Sequence, residues 1–431
     1  MSAFTRRAFL KSSGLAVVSL GIGGTPLFLA RASAEIVQTS LKRRKTLVCI
    51  FQRGAMDGLM AVTPFTDPIL KTLRPRLAMD VAATGTTGGL IDLDGRFALH
   101  PALAPFERLF KEQRLGIVHG MGSPNSTRSH FDAQDYMETG TPGRKGTPSG
   151  WLNRAMGLVE HGSGKTNTSE TPFRAVSMTA ALPKSLYGNE PAIAVTRLED
   201  FGVKASGKTG ATTTMRTETS LEALYEQTSQ RLLQGTGKES FDAVKLLSKS
   251  NVLNYKPASG VNYPLSPLGN SLRQIAQLIK ANVGLEIAFA ESGGWDTHVQ
   301  QGTSNGAFAG RARDLAEAIT ALWADIEPYQ DDVVVMTMTE FGRTVRENGS
   351  GGTDHGRGSC LFILGNHIDG GKVHGTLPVL APENLEDGRD VPVTTDFRAI
   401  FAEVAGKHLG VKRDEVLFPE WSGKRLPLFN V

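Results

Sequence analysis

Four stretches of the chain set carboxylates, imidazoles and hydroxyls close enough to do chemistry together. Glu340 and Arg343 follow an apolar run that begins at Val333, and Asp354-His355 arrives after a glycine-rich loop. Asp296 and His298, two positions apart behind Gly293-Gly294, can face one side in extended or turn backbone and reach one cation. Asp57 stands between Gly54 and Gly58 just after another apolar run, with Arg53 before it. Asp and His supply the oxygen and nitrogen donors that a divalent ion such as zinc takes. The fourth stretch holds Ser126, Thr127, Arg128, Ser129 and His130. A hydroxyl there becomes a nucleophile if a base or a metal lies near, and a helix start offers backbone N–H groups to an anion.

Short apolar runs at 46–51, 115–119, 285–290, from Val333, and at 360–364 read as buried strands. Between them, helical spacing predicts helices after Pro101, through Asp135 and Met137, and over 151–159, 220–233, 240–250, 268–281, 311–326 and 396–409. Strands alternating with helices predict a largely parallel sheet covered on both sides. Each candidate stretch lies just after a strand, where α/β sheets open their crevice. The polar stretches predict surface insertions near 140–172 and 200–265 within one domain spanning 35–431. Residues 202–209 match the phosphate-loop pattern, but no apolar strand precedes them and no helix pattern follows, so that reading is rejected.

The first 34 residues have the three parts of an export signal: Arg6-Arg7 with Lys11, a weakly apolar centre, and Ala32-Ser33-Ala34. The paired arginines before Phe9-Leu10-Lys11 resemble a twin-arginine signal, which implies the twin-arginine translocase as a partner, a periplasmic destination and no stable membrane span after cleavage. Without the signal, 43 basic residues balance 43 acidic ones, so no basic stripe remains for nucleic acid. Cys49 and Cys360 sit in apolar runs and read as buried small hydrophobes rather than a disulfide framework.

Arg53-Gly54 with Asp57-Gly58, Arg128-Ser129-His130-Phe131, Gly293 to His298, Thr339 to Arg343 and Gly352 to Gly356 together resemble the bacterial exported family known as domain of unknown function 1501. That family resembles the alkaline phosphatase and sulfatase superfamily. The likeness implies a three-layer α/β/α sandwich and an exported metal-dependent hydrolase or transferase acting on a phosphate or sulfate ester. It implies one or two divalent ions on Asp57, Asp296, His298, Glu340, Asp354 and His355; zinc suits the mixed donors best, and manganese or calcium each suit part of them. Ser129, or else Ser126 or Thr127, occupies the nucleophile's place. Asn125-Ser126 with His130 four beyond the serine is also similar to the cofactor-independent phosphoglycerate mutase branch, and the choice of hydroxyl stays open. Arg53, Arg128 or Arg343 would hold the anionic group. Phe341 follows Glu340 where the superfamily has an Asp-His dipeptide, and Asp354-His355 comes fourteen positions on. The alternative is a non-catalytic exported binding or assembly protein that keeps the fold.

Overall fold

The computed structural model describes residues 43–83, 88–160, 171–198 and 255–430. The proposed export signal, the rejected phosphate-loop match and the helices expected over 220–233 and 240–250 lie outside the described residues.

Among the described residues twelve strands follow in chain order: β1 (Thr46–Arg53), β2 (Val62–Thr63), β3 (Ile91–Asp92), β4 (Ala98–Leu99), β5 (Leu115–Gly122), β6 (Ala175–Ser177), β7 (Ile193–Ala194), β8 (Ile287–Gly293), β9 (Val333–Met338), β10 (Ser359–Leu364), β11 (Val373–His374) and β12 (Thr395–Asp396). The main sheet runs β11-β5-β10-β9-β1-β8-β6-β7, with β12 also beside β5. Only β10 is reversed; it pairs antiparallel with both β5 and β9, and every other pairing in this sheet is parallel. Strands β2, β3 and β4 form a small antiparallel sheet apart.

Strand β1 shows why the sheet is a middle layer. Its side chains alternate between faces, and both faces are dry: Leu47, Cys49 and Phe51 enter one apolar cluster, Val48 and Ile50 the other. On the second face lie the helices Ala104–Lys111, Pro267–Lys280 and Ala307–Asp325, through Phe106, Leu272 and Leu315. On the first lie Trp151–Leu158 and Phe397–Leu409, where Trp151 stacks on Phe401 at 4.7 Å between ring centroids, a contact that adds about 0.5–1.5 kcal/mol to the burial itself. This is a three-layer α/β/α sandwich. It also explains the free cysteines. Cys49 and Cys360 belong to clusters on opposite faces of the sheet, and burial pushes both thiols up. Among the described residues no helix is long and apolar enough to cross a membrane.

Helix boundaries follow local chemistry. Ser266 caps Pro267–Lys280 by accepting from the Gly269 N–H, with Pro267 at the first position, and Asp396 caps Phe397–Leu409 by accepting from the Arg398 N–H. The parallel strands β1, β5, β8 and β9 all point their carboxyl ends to one edge, and the reversed β10 starts there. That edge receives every candidate stretch.

Three histidines are buried neutral within this scaffold. His100 donates from Nε2 to the Thr303 carbonyl, His119 to that of Val62, and His408 to that of Thr46. Burial lowers each to about 4, against 6.5 for an ordinary histidine. Between those values the unfolded chain binds protons that the native state refuses, so their contribution is complete above pH 6.5 and is lost as pH falls towards 4. The denaturation midpoint should therefore drop between pH 7 and pH 5, above the carboxylate range, and His408→Gln should reduce that slope. A midpoint flat over this window would contradict the assignment.

Candidate metal centre

Four loops meet at the carboxyl edge. The loop after β1 brings Gly54 against the loop after β8: Trp295 donates its N–H to the Arg53 carbonyl, and a Cβ on Gly54, whose φ is +112°, would lie 2.6 Å from the Asp296 nitrogen. The glycine-rich segment after β9 turns back on itself. Arg343 bridges His355, Thr344 donates to the Asp354 carbonyl, and Gly356 donates to that of Gly342. This return carries Asp354-His355 to the strand end that bears Glu340. Gly352 then lets the returning chain touch the His298 backbone, since a Cβ there would sit 2.4 Å from the His298 carbonyl carbon. His130 comes from the other side, as the first residue of the helix His130–Thr139 after β5.

The result is a cup of imidazole nitrogens around one carboxylate. Nε2 of His355 lies 3.0 Å from Nε2 of His130 and 2.9 Å from Nε2 of His298. Asp296 Oδ1 is 3.0 Å from His298 Nε2 and 3.2 Å from His355 Nε2, while Oδ2 is 3.5 Å from His130 Nε2. Donor atoms of His130, Asp296 and His355 all lie within 4.8 Å of one another. The cup is partly open, with side-chain exposures of 24–43% among the four.

Each ring is gripped at its other nitrogen by a group that only accepts. His130 Nδ1 donates to Glu340 Oε1 at 2.8 Å, His298 Nδ1 to Asp354 Oδ1 at 2.9 Å, and His355 Nδ1 to the Arg128 carbonyl at 2.9 Å. Both carboxyls are ionised. Burial opposes this for Glu340, but hydrogen bonds from His130, Gln134 and the Gly54 N–H hold it below the usual range, and the His298 hydrogen bond does the same for Asp354. With Nδ1–H donating to these acceptors, a ring in its neutral form presents its lone pair at Nε2. The Nε2 atoms of His130 and His298 then each face that of His355 at contact distance with the Asp296 carboxylate beside them, which repels unless a cation or a proton lies among them.

A divalent metal fits. Tetrahedral coordination at about 2.0–2.1 Å puts ligands roughly 3.3 Å apart, and the separations above bracket that. The partial alternative is protonation: the Glu340 hydrogen bond raises His130, while burial and the neighbouring His130 lower His355. Arg343, fully buried, donates to Asp296 Oδ1 at 2.6 Å, and although burial opposes it this contact keeps Asp296 ionised. Phe341 floors the cup, its ring 4.9 Å from His130 and 5.1 Å from His355 between centroids.

The cup departs from the expected ligand list in instructive ways. Asp296, His298 and His355 come together, and His130, expected among the catalytic residues, joins them. Glu340 and Asp354 reach the outer nitrogens of two rings instead of the cup. Asp57 lies outside it. Buried, it caps the helix Gly58–Ala61, accepts from Arg74 Nη1 at 2.9 Å and Nη2 at 3.1 Å, and accepts from Gln301 Nε2 at 2.7 Å. Gln301 in turn accepts from Thr297 and Thr353, neighbours of His298 and Asp354, so Asp57 braces two cup loops from behind. Of the residues expected to hold an anion, Arg53 is engaged by Glu138 and Glu291, Arg128 by Asp387 and Asp390, and Arg343 by Asp296. Ser129 holds the N-cap position without a capping hydrogen bond from its side chain, Ser126 and Ser129 are exposed, and the Thr127 hydroxyl accepts from the Ser129 N–H. Sequence reasoning missed Gln301 and Arg74, whose only signal was polarity inside otherwise unremarkable segments.

Residues 112–417 match the family described as protein of unknown function DUF1501, and the chain belongs to that family. No curated protein matches the sequence. Among solved structures it is similar to the lipoteichoic acid synthase LtaP from Listeria monocytogenes, at 9% identity and a TM-score of 0.35, covering 92% of this chain and 80% of that one. It is similar to alkaline phosphatase from the Antarctic bacterium TAB5, at 9% identity and a TM-score of 0.32, covering 75% and 92%. A third is the zinc complex of the C-terminal periplasmic domain of EcEptC from Escherichia coli, at 10% identity and a TM-score of 0.38, covering 90% of each. The strand order and the apolar clusters on both faces of the sheet define the three-layer architecture.

If Asp57 is a brace and not a ligand, Asp57→Ala strands the Arg74 guanidinium in the interior. Breaking such a buried pair from one side costs about 3–5 kcal/mol. Urea denaturation should show that loss, while the fraction still folded binds zinc with the stoichiometry of the parent protein. Loss of zinc from folded Asp57→Ala would instead make it a ligand.

Proposed function

We propose that this protein is an exported metal-dependent hydrolase or transferase acting on a phosphate or sulfate ester, with the ion held by His130, Asp296, His298 and His355. One observation carries the reading: Nε2 of His130 and Nε2 of His298 lie 3.0 Å and 2.9 Å from Nε2 of His355, with the ionised Asp296 carboxylate 3.0–3.5 Å from the three nitrogens, at the carboxyl edge of the sheet. A divalent cation bound there supplies Lewis-acid polarisation of a phosphoryl or sulfuryl oxygen and stabilises negative charge on the reacting oxygens. The chain's own residues set the stage. Arg343 orients Asp296, Phe341 shields the rings from water on one side, and the first turn of the helix at His130 offers N–H groups to an anionic substrate. The exposed Ser129, beside His130, is our choice of nucleophile ahead of Ser126 and Thr127. Export by the twin-arginine route, proposed from Arg6-Arg7 and the residues that follow, puts this site in the periplasm.

A second reading is a non-catalytic exported binding or assembly protein with a structural ion. It is favoured by the pairing of Arg53, Arg128 and Arg343 with carboxylates, which leaves none of the three free to take an anion.

Metal analysis of purified protein, followed by turnover of aryl phosphates and aryl sulfates, separates the two. We expect bound zinc, turnover of at least one ester class, and a loss of 100-fold or more in His355→Ala and Ser129→Ala, in keeping with the size of such catalytic effects. Stoichiometric metal without turnover across the panel would favour the second reading.

A further inference from the structure

Every imidazole in the cup meets an acceptor on its far side, and the three acceptors come from unrelated places in the chain. Glu340 is fully buried, and its Oε1 also takes the Gly54 N–H at 2.8 Å and Gln134 Nε2 at 2.9 Å, so it cannot swing to the cup without abandoning two donors. Asp354 is exposed yet also tied, accepting from Asn348 Nδ2 at 3.1 Å, and the same Asn348 amide donates to the His298 carbonyl. The Arg128 carbonyl is fixed because its side chain is clamped to Asp390, itself without solvent exposure. A ring whose Nδ1–H is satisfied by a fixed acceptor can present only Nε2, and that arrangement also raises the basicity of the ligating nitrogen.

We infer that Glu340 and Asp354 are positioning residues, not ligands: they commit His130 and His298 to offering Nε2, so that the site takes a nitrogen-seeking divalent cation of the zinc and cobalt class on three imidazoles and Asp296. The inference rests on the metal-centre reading above and deepens it by fixing the donor set and the ion class. Six-oxygen ions such as calcium and magnesium find one carboxylate where they need several oxygens.

The test uses the full mature chain, wild type and with Glu340→Gln or Asp354→Asn, in chelator competition for zinc and in the visible spectrum of the cobalt(II) form. Each variant should bind zinc about 10- to 100-fold more weakly, the size of effect seen when a ligand's outer partner is altered. The cobalt band should keep its position, because the ligands are unchanged, while His355→Ala should move or abolish it. Excess calcium or magnesium should not displace zinc from the wild type. Unchanged zinc affinity in both variants, a Glu340→Gln band shifted as in His355→Ala, or ready displacement by calcium would each overturn the inference and leave the metal centre standing. A wild-type protein that binds neither zinc nor cobalt would overturn the metal centre itself. If Glu340→Gln fails to fold, as circular dichroism would show, the exposed Asp354→Asn decides alone.

Discussion

The crowding of three imidazole nitrogens and a carboxylate at one sheet edge is the constraint on which this structure turns. Left to themselves the rings would rotate apart. They are prevented by what lies behind them: a buried glutamate, an aspartate tied to Asn348, and a backbone carbonyl pinned by an arginine clamp. Holding such an arrangement demands a stiff support, and the sheet supplies it. The cup residues are delivered from the ends of β5, β8 and β9 and from the start of β10, strands that are packed dry on both faces.

Glycines are the means by which separate loops come close enough. At Gly54 and Gly352 one backbone lies directly on another, with no room for a side chain between them. Loops joined in this way move as one body, which suits a site whose donor atoms sit about 3 Å apart. Behind them the chain Arg74–Asp57–Gln301 ties two loops together through polar groups that are themselves satisfied.

Much of this was legible in the residues. Val333 to Met338 and Leu115 to Gly122 announce themselves as continuous apolar runs, and Ala307–Asp325 and Phe397–Leu409 by helical spacing. Strands β6, β7, β11 and β12 did not, because two or three residues carry no periodicity. Nor was the reversal of β10, since an apolar run has no direction. At the site, residue type identified the acids and imidazoles but not their division of labour. Whether a carboxylate touches an ion or the back of a ring depends on a separation of a few ångströms set by tertiary packing. Asp57 shows the limit most clearly: its place after the first strand suited a ligand, and its partner Arg74, seventeen positions on, carried no mark of the pairing.

The distance along the chain between the cup's members has a kinetic corollary. His130 and His355 are 225 positions apart, and the reversed strand that follows His355 must slot between two others before the rings can meet. Contacts of such long range form late, after the entropy of closing the intervening loops has been met. An ion held there would therefore act on the finished fold, tightening it by mass action, and not nucleate it from a fragment.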